Sequence, residues 1–324
     1  MNIKAVVLPA FNVLRRARLA SKKNRLLACE DHLTLSTIER DVLLVAHSFE
    51  KALCMDDCRD DFGTKKADRL LDLLILASNE PLFNSGSYAF VESMASLENW
   101  LARIVRLGLD CTRWQHRFEL LADQTSYQTG CIDLDKRAGV VCDSFPRDPI
   151  VDANAIEFIE SRHSIRAFDA TPVSRETLMR VVELAQSSPS ACNRQPSRVY
   201  FAGQNTSQIV SDNVRGNKGF EKSIHQWAIV TTDMSLFSCA EYDQWFINGG
   251  IFLNSFVLAL KAYGIGSCIF QWVVGDSGEE LRTVLRIPSN EVIIAAVGLG
   301  YPKEHCLRPV AQRMPVSEVA TWLD

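Results

Sequence analysis

The sequence predicts an α+β domain over residues 150–324, preceded by a mainly helical unit over residues 1–145. Before residue 138 apolar side chains recur at helical spacing and alternating β-branched residues are scarce. After residue 150, helical segments alternate with short apolar runs typical of strands. Residues 143–149, between these regions, contain two prolines and several turn-forming residues, a composition that predicts a linker.

The helical unit is predicted to contain helices over residues 32–58, 65–78 and 90–125. Leu70, Leu71 and Leu74 recur at helical spacing in the second segment, and Leu97 and Leu101 do so in the third. Residues 1–29 carry seven basic side chains and no acidic one. This composition favours a solvated helix face or arm, with peripheral contact with anionic lipid as the alternative.

In the second region, Asn154 with Glu157 resembles a capping box that begins a helix ending near Glu160, and Ser174 is placed to cap the next helix. A long apolar helix is predicted over residues 247–263. Because it has almost no polar face, we expect it to be buried in the domain centre or across a subunit interface, and not to span a membrane. The predicted strands are residues 198–202, 227–232, 267–273 and 291–297.

The composition is that of a globular protein with reduced thiols. Of the 324 residues, 47% are hydrophobic and 23% charged, which supplies enough apolar material for a core and excludes general disorder. The formal net charge of -4 argues against a nucleic-acid partner. The ten cysteines show no CxxC spacing and follow no recognisable secretory signal, so we expect a cytoplasmic location.

Two short motifs carry candidate chemistry. Residues 161–168 place two arginines and a hydroxyl group within five positions, which could hold a phosphate or form an ordinary surface charge cluster. Residues 188–196 contain Pro, Ser and Asn, which make a turn rich in hydrogen-bonding groups or a plain loop.

Taken together, these motifs and their spacing resemble the flavin-dependent nitroreductase family. The pattern is Arg-x-Ser-x-Arg-x-Phe, then Pro-Val, a helix, and Ser-Pro-Ser-x-x-Asn-x-Gln-Pro. Segments at residues 247–250, 263–268, 297–302 and 312–319 fit the same resemblance, which covers about residues 152–324.

The resemblance implies FMN bound at the interface of a homodimer, with NAD(P)H as the electron donor and no metal. Residues implied to contact the cofactor within one copy are Arg162, His163, Ser164, Arg166, Ile269, Gln271 and Arg313. Those implied to reach the ring from the other copy are Ser190, Asn193 and Gln195. The Gln271 amide lies near the edge that accepts the hydride, and Phe270 and Trp272 are expected to face the substrate.

Elementary chemistry agrees with this implied site. A flavin phosphate is a dianion, and Arg162 with Arg313 would neutralise it. A guanidinium such as Arg166 near the pyrimidine end would stabilise the reduced ring. No protein triad is needed, and the sequence shows no GxSxG, P-loop, HExxH or GxGxxG motif.

Three positions depart from the family pattern. Asn248 stands where aspartate is common, Ser197 replaces an aromatic residue, and Ala311 replaces a lysine of the phosphate-binding tail. The last change removes one cation unless Arg308 substitutes for it.

The stretch His47-Ser48-Phe49-Glu50-Lys51-Ala52-Leu53 is similar to a segment ahead of the flavin domain in nitroreductase-like proteins of polysaccharide gene sets, with Ala52 in place of glycine. His47, Glu50 and Lys51 share one helix face. This face would pack structurally, cap the flavin cleft and contact the substrate, or, with Cys54 and Cys58, bind a metal.

The function implied is an FMN-dependent oxidoreductase that passes a hydride from NAD(P)H to a small nitro, quinone, enone or related acceptor. Two alternatives remain open at this point. One is a non-catalytic binding or scaffold protein in a polysaccharide pathway, and the other is an FMN enzyme with non-reductive chemistry.

Overall fold

The computed structural model describes residues 34–128 except 56 and 85, residue 140, and residues 151–323 except 204, 242 and 273–278. The basic segment over residues 1–29 and the linker predicted over residues 143–149 lie outside the described residues.

The helical unit contains α1 (Leu35–Leu53), α2 (Thr64–Ala77), α3 (Tyr88–Arg106) and α4 (Thr112–Thr125). The stretch predicted to be helical over residues 90–125 forms two helices, α3 and α4, with a short break between them. Gly108 takes a φ of +70° just after α3, a conformation that ends helices. The Asp110 carboxylate then accepts a hydrogen bond from the Thr112 amide at 3.0 Å and starts α4.

This unit has a hydrophobic core of its own, centred on buried aromatic side chains. Phe49 and Trp100 lie 5.4 Å apart, and Trp114 packs edge-on against Trp100. The Trp100 indole donates to the Phe62 carbonyl at 2.7 Å, which satisfies its buried N–H group. α1 and α3 are therefore held in contact along their length, so that side chains from both reach one surface.

The second region is built on one antiparallel sheet, with β1 (Ser197–Ala202), β2 (Gln226–Asp233), β3 (Gly266–Gln271) and β4 (Glu291–Gly300) in the order β1-β2-β4-β3. All four predicted strands are present. β3 is an edge strand, paired with β4 from Gly266↔Gly300 to Gln271↔Ala295. One long side of β3 is thus available to another segment of chain.

The helices of this region are α5 (Ala153–Glu160), α6 (Arg175–Ala185), α7 (Ser207–Asn213), α8 (Gln244–Ala262), α9 (Glu279–Leu285) and α10 (Val316–Val319). The Ser174 hydroxyl caps α6 as predicted. The predicted Asn154 cap of α5 is wrong, since Asp152 accepts from the Asn154 and Ala155 amides. The mixture of helices and antiparallel sheet confirms the α+β class.

α8 is the apolar helix predicted from the sequence, and it packs on the sheet. A Cβ atom at Gly249 would lie 2.6 Å from Ile294 and Thr232, so glycine permits this close contact. Among the helices in the described ranges, only α8 is long and apolar enough to cross a membrane, with a mean hydropathy of 1.3. Phe256 and Leu260 are buried in the core, as expected for a core helix rather than a membrane span.

Candidate functional site

One end of the candidate site is a cavity of about 230 Å³ at the carboxyl end of α8. Its walls come from four segments that meet there: the turn after α5, the end of α8, the start of β3 and the chain just after β4. Arg162, His163, Lys261, Gly264 and Pro302 are among the lining residues. Lys261 donates to the Phe158 carbonyl and to the Ser161 hydroxyl, which fixes its ammonium group beside the α5 turn.

Four cations act on His163 at this cavity, and we call them the cation cluster: Arg162, Lys261, Arg308 and Arg313. Partial burial, and then these positive charges with Arg308 first, lower the pKa of His163. The pKa of Lys261 is also lowered, by burial and by Arg162. Arg162 and Arg313 thus both act on His163, and their joint contact with a phosphate stays a prediction. Like charges in one place favour an anionic ligand.

Residues 164–166 run along the free side of β3. Ser164 pairs with Ser267, and the Ile165 amide donates to the Ser267 carbonyl at 2.9 Å. A Cβ atom at Gly266 would lie 3.0 Å from both Ile165 and Pro302, so this close approach depends on glycine. Ser164 and the exposed Arg166 are therefore placed along the sheet edge, in line with the cation cluster.

The side chains of β3 alternate between the two faces of the sheet. Ile269 is 43% exposed and Gln271 is exposed, so both are available to a ligand on that face. Burial raises the pKa of the Cys268 thiol, against the opposing influence of Arg166, Ser164 and Arg162. That opposing influence shows that the Arg162–Arg166 segment lies close to β3.

Phe270 does not face a substrate, contrary to the sequence prediction. It is 4% exposed and packs 5.0 Å from Trp227 and 5.9 Å from Phe220, between ring centroids. Trp272 is half-buried against the same cluster. Trp245, in the first turn of α8, is fully buried near Phe237. The strand's period of two places Phe270 on the core side.

The second end of the candidate site is the loop over residues 190–195, next to the amino end of α8. Cys192, Asn193 and Gln195 have φ values of 51°, 51° and 46°. Non-glycine residues in this region of φ are strained and persist only when their surroundings hold them. The Gln195 amide donates to the Ser190 hydroxyl at 2.9 Å, and Gln195 Nε2 donates to Asn193 Oδ1 at 3.3 Å.

Two buried side chains hold this loop: Asn248, noted in the sequence only as a departure from the family pattern, and Arg194, which the sequence left unassigned. Asn248 accepts from the Ala191 amide at 2.8 Å and donates to the Gln244 carbonyl at 2.7 Å. Arg194 donates to the Ala191 carbonyl and forms an ion pair with Glu241. Burial would raise the Glu241 pKa, but hydrogen bonds from Arg194 and Ser238 lower it to about 2.

The helical unit also contacts the loop. Tyr88 on α3 donates to the Asn193 carbonyl at 2.8 Å, and Asn193 Nδ2 donates to Glu92 Oε1 at 3.4 Å. Glu92 hydrogen-bonds Glu50 on α1, which also contacts His47 Nδ1 at 3.3 Å and accepts from Ser96 at 3.0 Å. The helix face of His47 and Glu50 thus reaches the loop through one intervening residue, Glu92. Tyr88 and Glu92 belong to no recognised motif, and no local sequence signal marks them.

The metal alternative for this face finds no support in the structure. Within residues 34–128 and 151–323, apart from the undescribed positions, no three His, Cys, Asp or Glu side chains converge as metal ligands would. Cys54 is exposed, and the Cys58 thiol contacts the Arg59 carbonyl. Lys51, which shares the face of His47 and Glu50, is exposed.

The two ends of the site lie at opposite ends of α8. Asn248 holds the loop near the first turn, and Lys261 belongs to the last turn. Thirteen residues separate them in the helix, which is about 20 Å at the usual rise per residue. The loop of one copy is thus remote from the cation cluster of the same copy.

Residues 159–244, which include the 162–166 segment and the 190–195 loop, match the Nitroreductase family model. The α+β region is thus similar to nitroreductase-family proteins, and residues 159–244 match that family's model directly. A putative NADH dehydrogenase/NAD(P)H nitroreductase of Archaeoglobus fulgidus is 28% identical over 160 residues, which cover 46% of this chain and 86% of the relative. An NADH dehydrogenase of Thermus thermophilus is 26% identical over 210 residues, which cover 54% of this chain and 97% of that relative.

Solved structures with some likeness include a putative NADH dehydrogenase/NAD(P)H nitroreductase from Parabacteroides distasonis, at 19% identity and a TM-score of 0.46, covering 52% of this chain and 98% of that one. A putative nitroreductase in complex with FMN from Desulfovibrio desulfuricans is 20% identical, with a TM-score of 0.46. The match covers 54% of this chain and 99% of that one.

Proposed function

We propose that the protein is a homodimeric, FMN-dependent oxidoreductase that passes a hydride from NAD(P)H to a small nitro, quinone, enone or related acceptor. The observation that carries the proposal is the cation cluster at the end of α8, in a region similar to nitroreductase-family proteins. Relatives named NADH dehydrogenase and NAD(P)H nitroreductase support the same activity and the same electron donor.

The cation cluster suits the phosphate of FMN. A phosphate dianion needs at least two cations with hydrogen-bonding donors, and Arg162 and Arg313 supply them. Arg308, which also acts on His163, would supply a third. It would then substitute for the lysine missing at Ala311.

The edge of β3 suits the ring of the cofactor. When bound, FMN would supply the hydride chemistry, and the protein's part is to position and polarise it. Arg166 would stabilise negative charge at the pyrimidine end of the ring, which raises the reduction potential. Ile269 would give an apolar contact, and the Gln271 amide would donate toward the reactive edge. Ser164 would hold the ribityl chain.

Two observations support a dimer in which Ser190, Asn193 and Gln195 reach the ring bound by the other copy. First, about 20 Å of helix separates the loop from the cations of its own chain. Second, apolar side chains are unpartnered on α5, on α8 and in the carboxyl-terminal arm, with Trp322 91% exposed. The others include Ile159, Ile247, Leu307, Val310 and Leu323. A surface of this kind fits a subunit interface.

The expected compartment is the cytoplasm. Cys111 and Cys268 are buried with free thiols, and the remaining cysteines with described side chains are free as well. Thiols in this state fit a reducing environment.

The test is flavin binding by the double variant Arg162→Ala, Arg313→Ala. We expect it to keep the far-ultraviolet spectrum of the folded protein and to lose FMN affinity by about 100-fold, since each charge-assisted hydrogen bond contributes about 1.5 kcal/mol or more. Arg308→Ala alone should lose about tenfold. Arg180→Ala, which removes an exposed pair with Glu176, is the matched control.

The absorption spectrum of the purified protein and a titration with NADH and NADPH complete the test. Full FMN retention by the double variant would refute the site. A colourless protein that FMN does not stabilise would favour the scaffold alternative. Bound FMN that NAD(P)H does not reduce would favour non-reductive chemistry.

A further inference from the structure

The contact between the helical unit and the 190–195 loop contains a pair of carboxyl groups from different helices. Glu50 of α1 and Glu92 of α3 hydrogen-bond each other, and Glu92 is only 8% exposed. We call them the carboxyl pair. Two carboxylates cannot both be ionised at hydrogen-bonding distance without large repulsion, so a stable pair of this kind shares a proton.

The groups that face the carboxyl pair come from three elements. On α1, His47 Nδ1 lies 3.3 Å from Glu50 Oε2. On α3, Ser96 donates to Glu50 Oε1 at 3.0 Å, and the Tyr88 phenol stands nearby. The 190–195 loop contributes Asn193, which donates to Glu92.

No guanidinium in the described part of the chain forms an ion pair with the carboxyl pair. Arg194, the arginine of the adjoining loop, is directed to Glu241 and to the Leu236 carbonyl. Burial, followed by the bond and the charge of Glu50, raises the pKa of Glu92 to about 7, while the hydrogen bond from Asn193 acts in the opposite direction and is outweighed. The shared proton is thus present below neutral pH and is lost as the pH rises through that value.

The carboxyl pair acts directly on the strained part of the loop. Asn193 has a φ of 51° and is held from both sides, by Glu92 at its amide and by Tyr88 at its carbonyl. Tyr88 also hydrogen-bonds the side chain of Gln195. Separation of two charged carboxylates would move Glu92 and release a loop that cannot keep this backbone conformation unaided.

We propose that Glu92, together with Glu50, is a positioning residue: while the two carboxyls share a proton, they hold the 190–195 loop in the conformation that contacts the flavin. The helical unit thereby makes flavin binding pH-dependent. This inference rests on the proposed function, in which Asn193 and Gln195 reach the ring.

The first experiment measures FMN affinity by fluorescence quenching between about pH 6 and pH 8.5, on either side of the raised pKa. We expect the unmodified protein to bind about five- to tenfold more weakly at the upper end. Glu92→Gln keeps a neutral hydrogen-bonding side chain and should retain the low-pH affinity throughout. Glu92→Ala should bind weakly at every pH. The second ionisation of the FMN phosphate, near pH 6, is common to all variants.

Two controls separate the carboxyl pair from other titrating groups. Glu119→Gln makes the same chemical change at an exposed glutamate of α4 that bonds only Gln115, and it should match the unmodified protein. His47→Gln removes the neighbouring imidazole and should leave most of the pH dependence in place. The proposal is overturned if Glu92→Gln keeps the full pH dependence, or if His47→Gln alone abolishes it.

A second experiment needs no flavin. Amide hydrogen exchange of residues 190–195 in the full chain, corrected for intrinsic rates, should show a loss of protection above about pH 7 that is absent in Glu92→Gln. If the protein binds no FMN but keeps this step, the proposed function fails and the loop-holding role stands. If FMN binds and exchange of the loop shows no step that depends on Glu92, the role of the carboxyl pair fails alone.

Discussion

The two ends of the candidate site are built in different ways. The cation end consists of charged side chains around one turn, close to the sheet edge, and needs only the α+β domain to form. The loop end is a strained backbone held by buried polar side chains and by a second structural unit. Charge tolerates small displacements because it acts over distance, whereas hydrogen bonds do not. The loop end is therefore the more fragile, and the better suited to regulation.

The largest effect should come from α8, which connects both ends. Gly249→Val would place side-chain atoms against Ile294 and Thr232, where a Cβ atom alone already lies 2.6 Å away. We expect a loss of about 3 kcal/mol of unfolding free energy and of FMN binding. A Cβ atom at neighbouring Gly250 meets nothing within 4 Å. Gly250→Ala should therefore be neutral or slightly stabilising in thermal unfolding. Equal damage from both variants would contradict this packing.

A more selective change tests the loop end alone. Arg194→Ala leaves Glu241 without its cation and should destabilise the protein by about 2 kcal/mol, less than for a fully buried pair because Glu241 is partly exposed. The lowered Glu241 pKa means that the pair stabilises the fold fully above about pH 4.5 and loses this contribution as the pH falls toward 2.

Acid unfolding monitored by circular dichroism should therefore show a smaller dependence on pH in Arg194→Ala than in the unmodified protein. Arg117→Ala, which removes more exposed ion pairs with Asp68 and Asp72, should change stability by less than about 1 kcal/mol. Inorganic phosphate binding at the cation end should survive Arg194→Ala. Its loss would show that the two ends are not independent.

The smallest expected effect comes from removing one hydrogen bond between α3 and the loop end. Tyr88→Phe removes one hydrogen bond to the Asn193 carbonyl, worth about 1 kcal/mol, and should weaken FMN binding by about fivefold. Tyr200→Phe removes a phenolic hydrogen bond of the same 2.8 Å length, to Glu291 within the sheet. It should cost stability but leave FMN affinity unchanged, as judged by isothermal titration. If Tyr200→Phe weakened FMN binding and Tyr88→Phe did not, Tyr88 would have no part in holding the loop.

The sequence was sufficient for elements whose signals are local. The four strands and α8 follow from short apolar runs and from an almost wholly apolar helix. Arg162 and Arg313 of the cation end were also named from the sequence, because each belongs to a motif, and their role in binding stays a prediction. Local signals misled where two candidates lay close together: Asp152 caps α5 in place of Asn154, and Gly108 divides a long periodic segment into two helices.

The loop end was not predictable, because its contacts join residues far apart in the chain. Tyr88 and Asn193 are separated by 105 positions, and Glu92 and Asn193 by 101. No periodicity connects such pairs. Phe270 was misassigned for a related reason, since β3 has two faces and only the packing of Trp227 and Phe220 shows which is buried.

The length of α8 has a genetic consequence. In a two-fold dimer with the proposed arrangement, each ring is shared, so a chain lacking Arg162 and Arg313 and a chain lacking Arg194 are defective in different halves of every site. Each is expected to have both sites impaired when paired with itself. Mixed dimers of the two chains contain one doubly damaged site and one wholly intact site. Co-expression of the two mutants should therefore restore up to half of the activity per mixed dimer, by complementation between alleles.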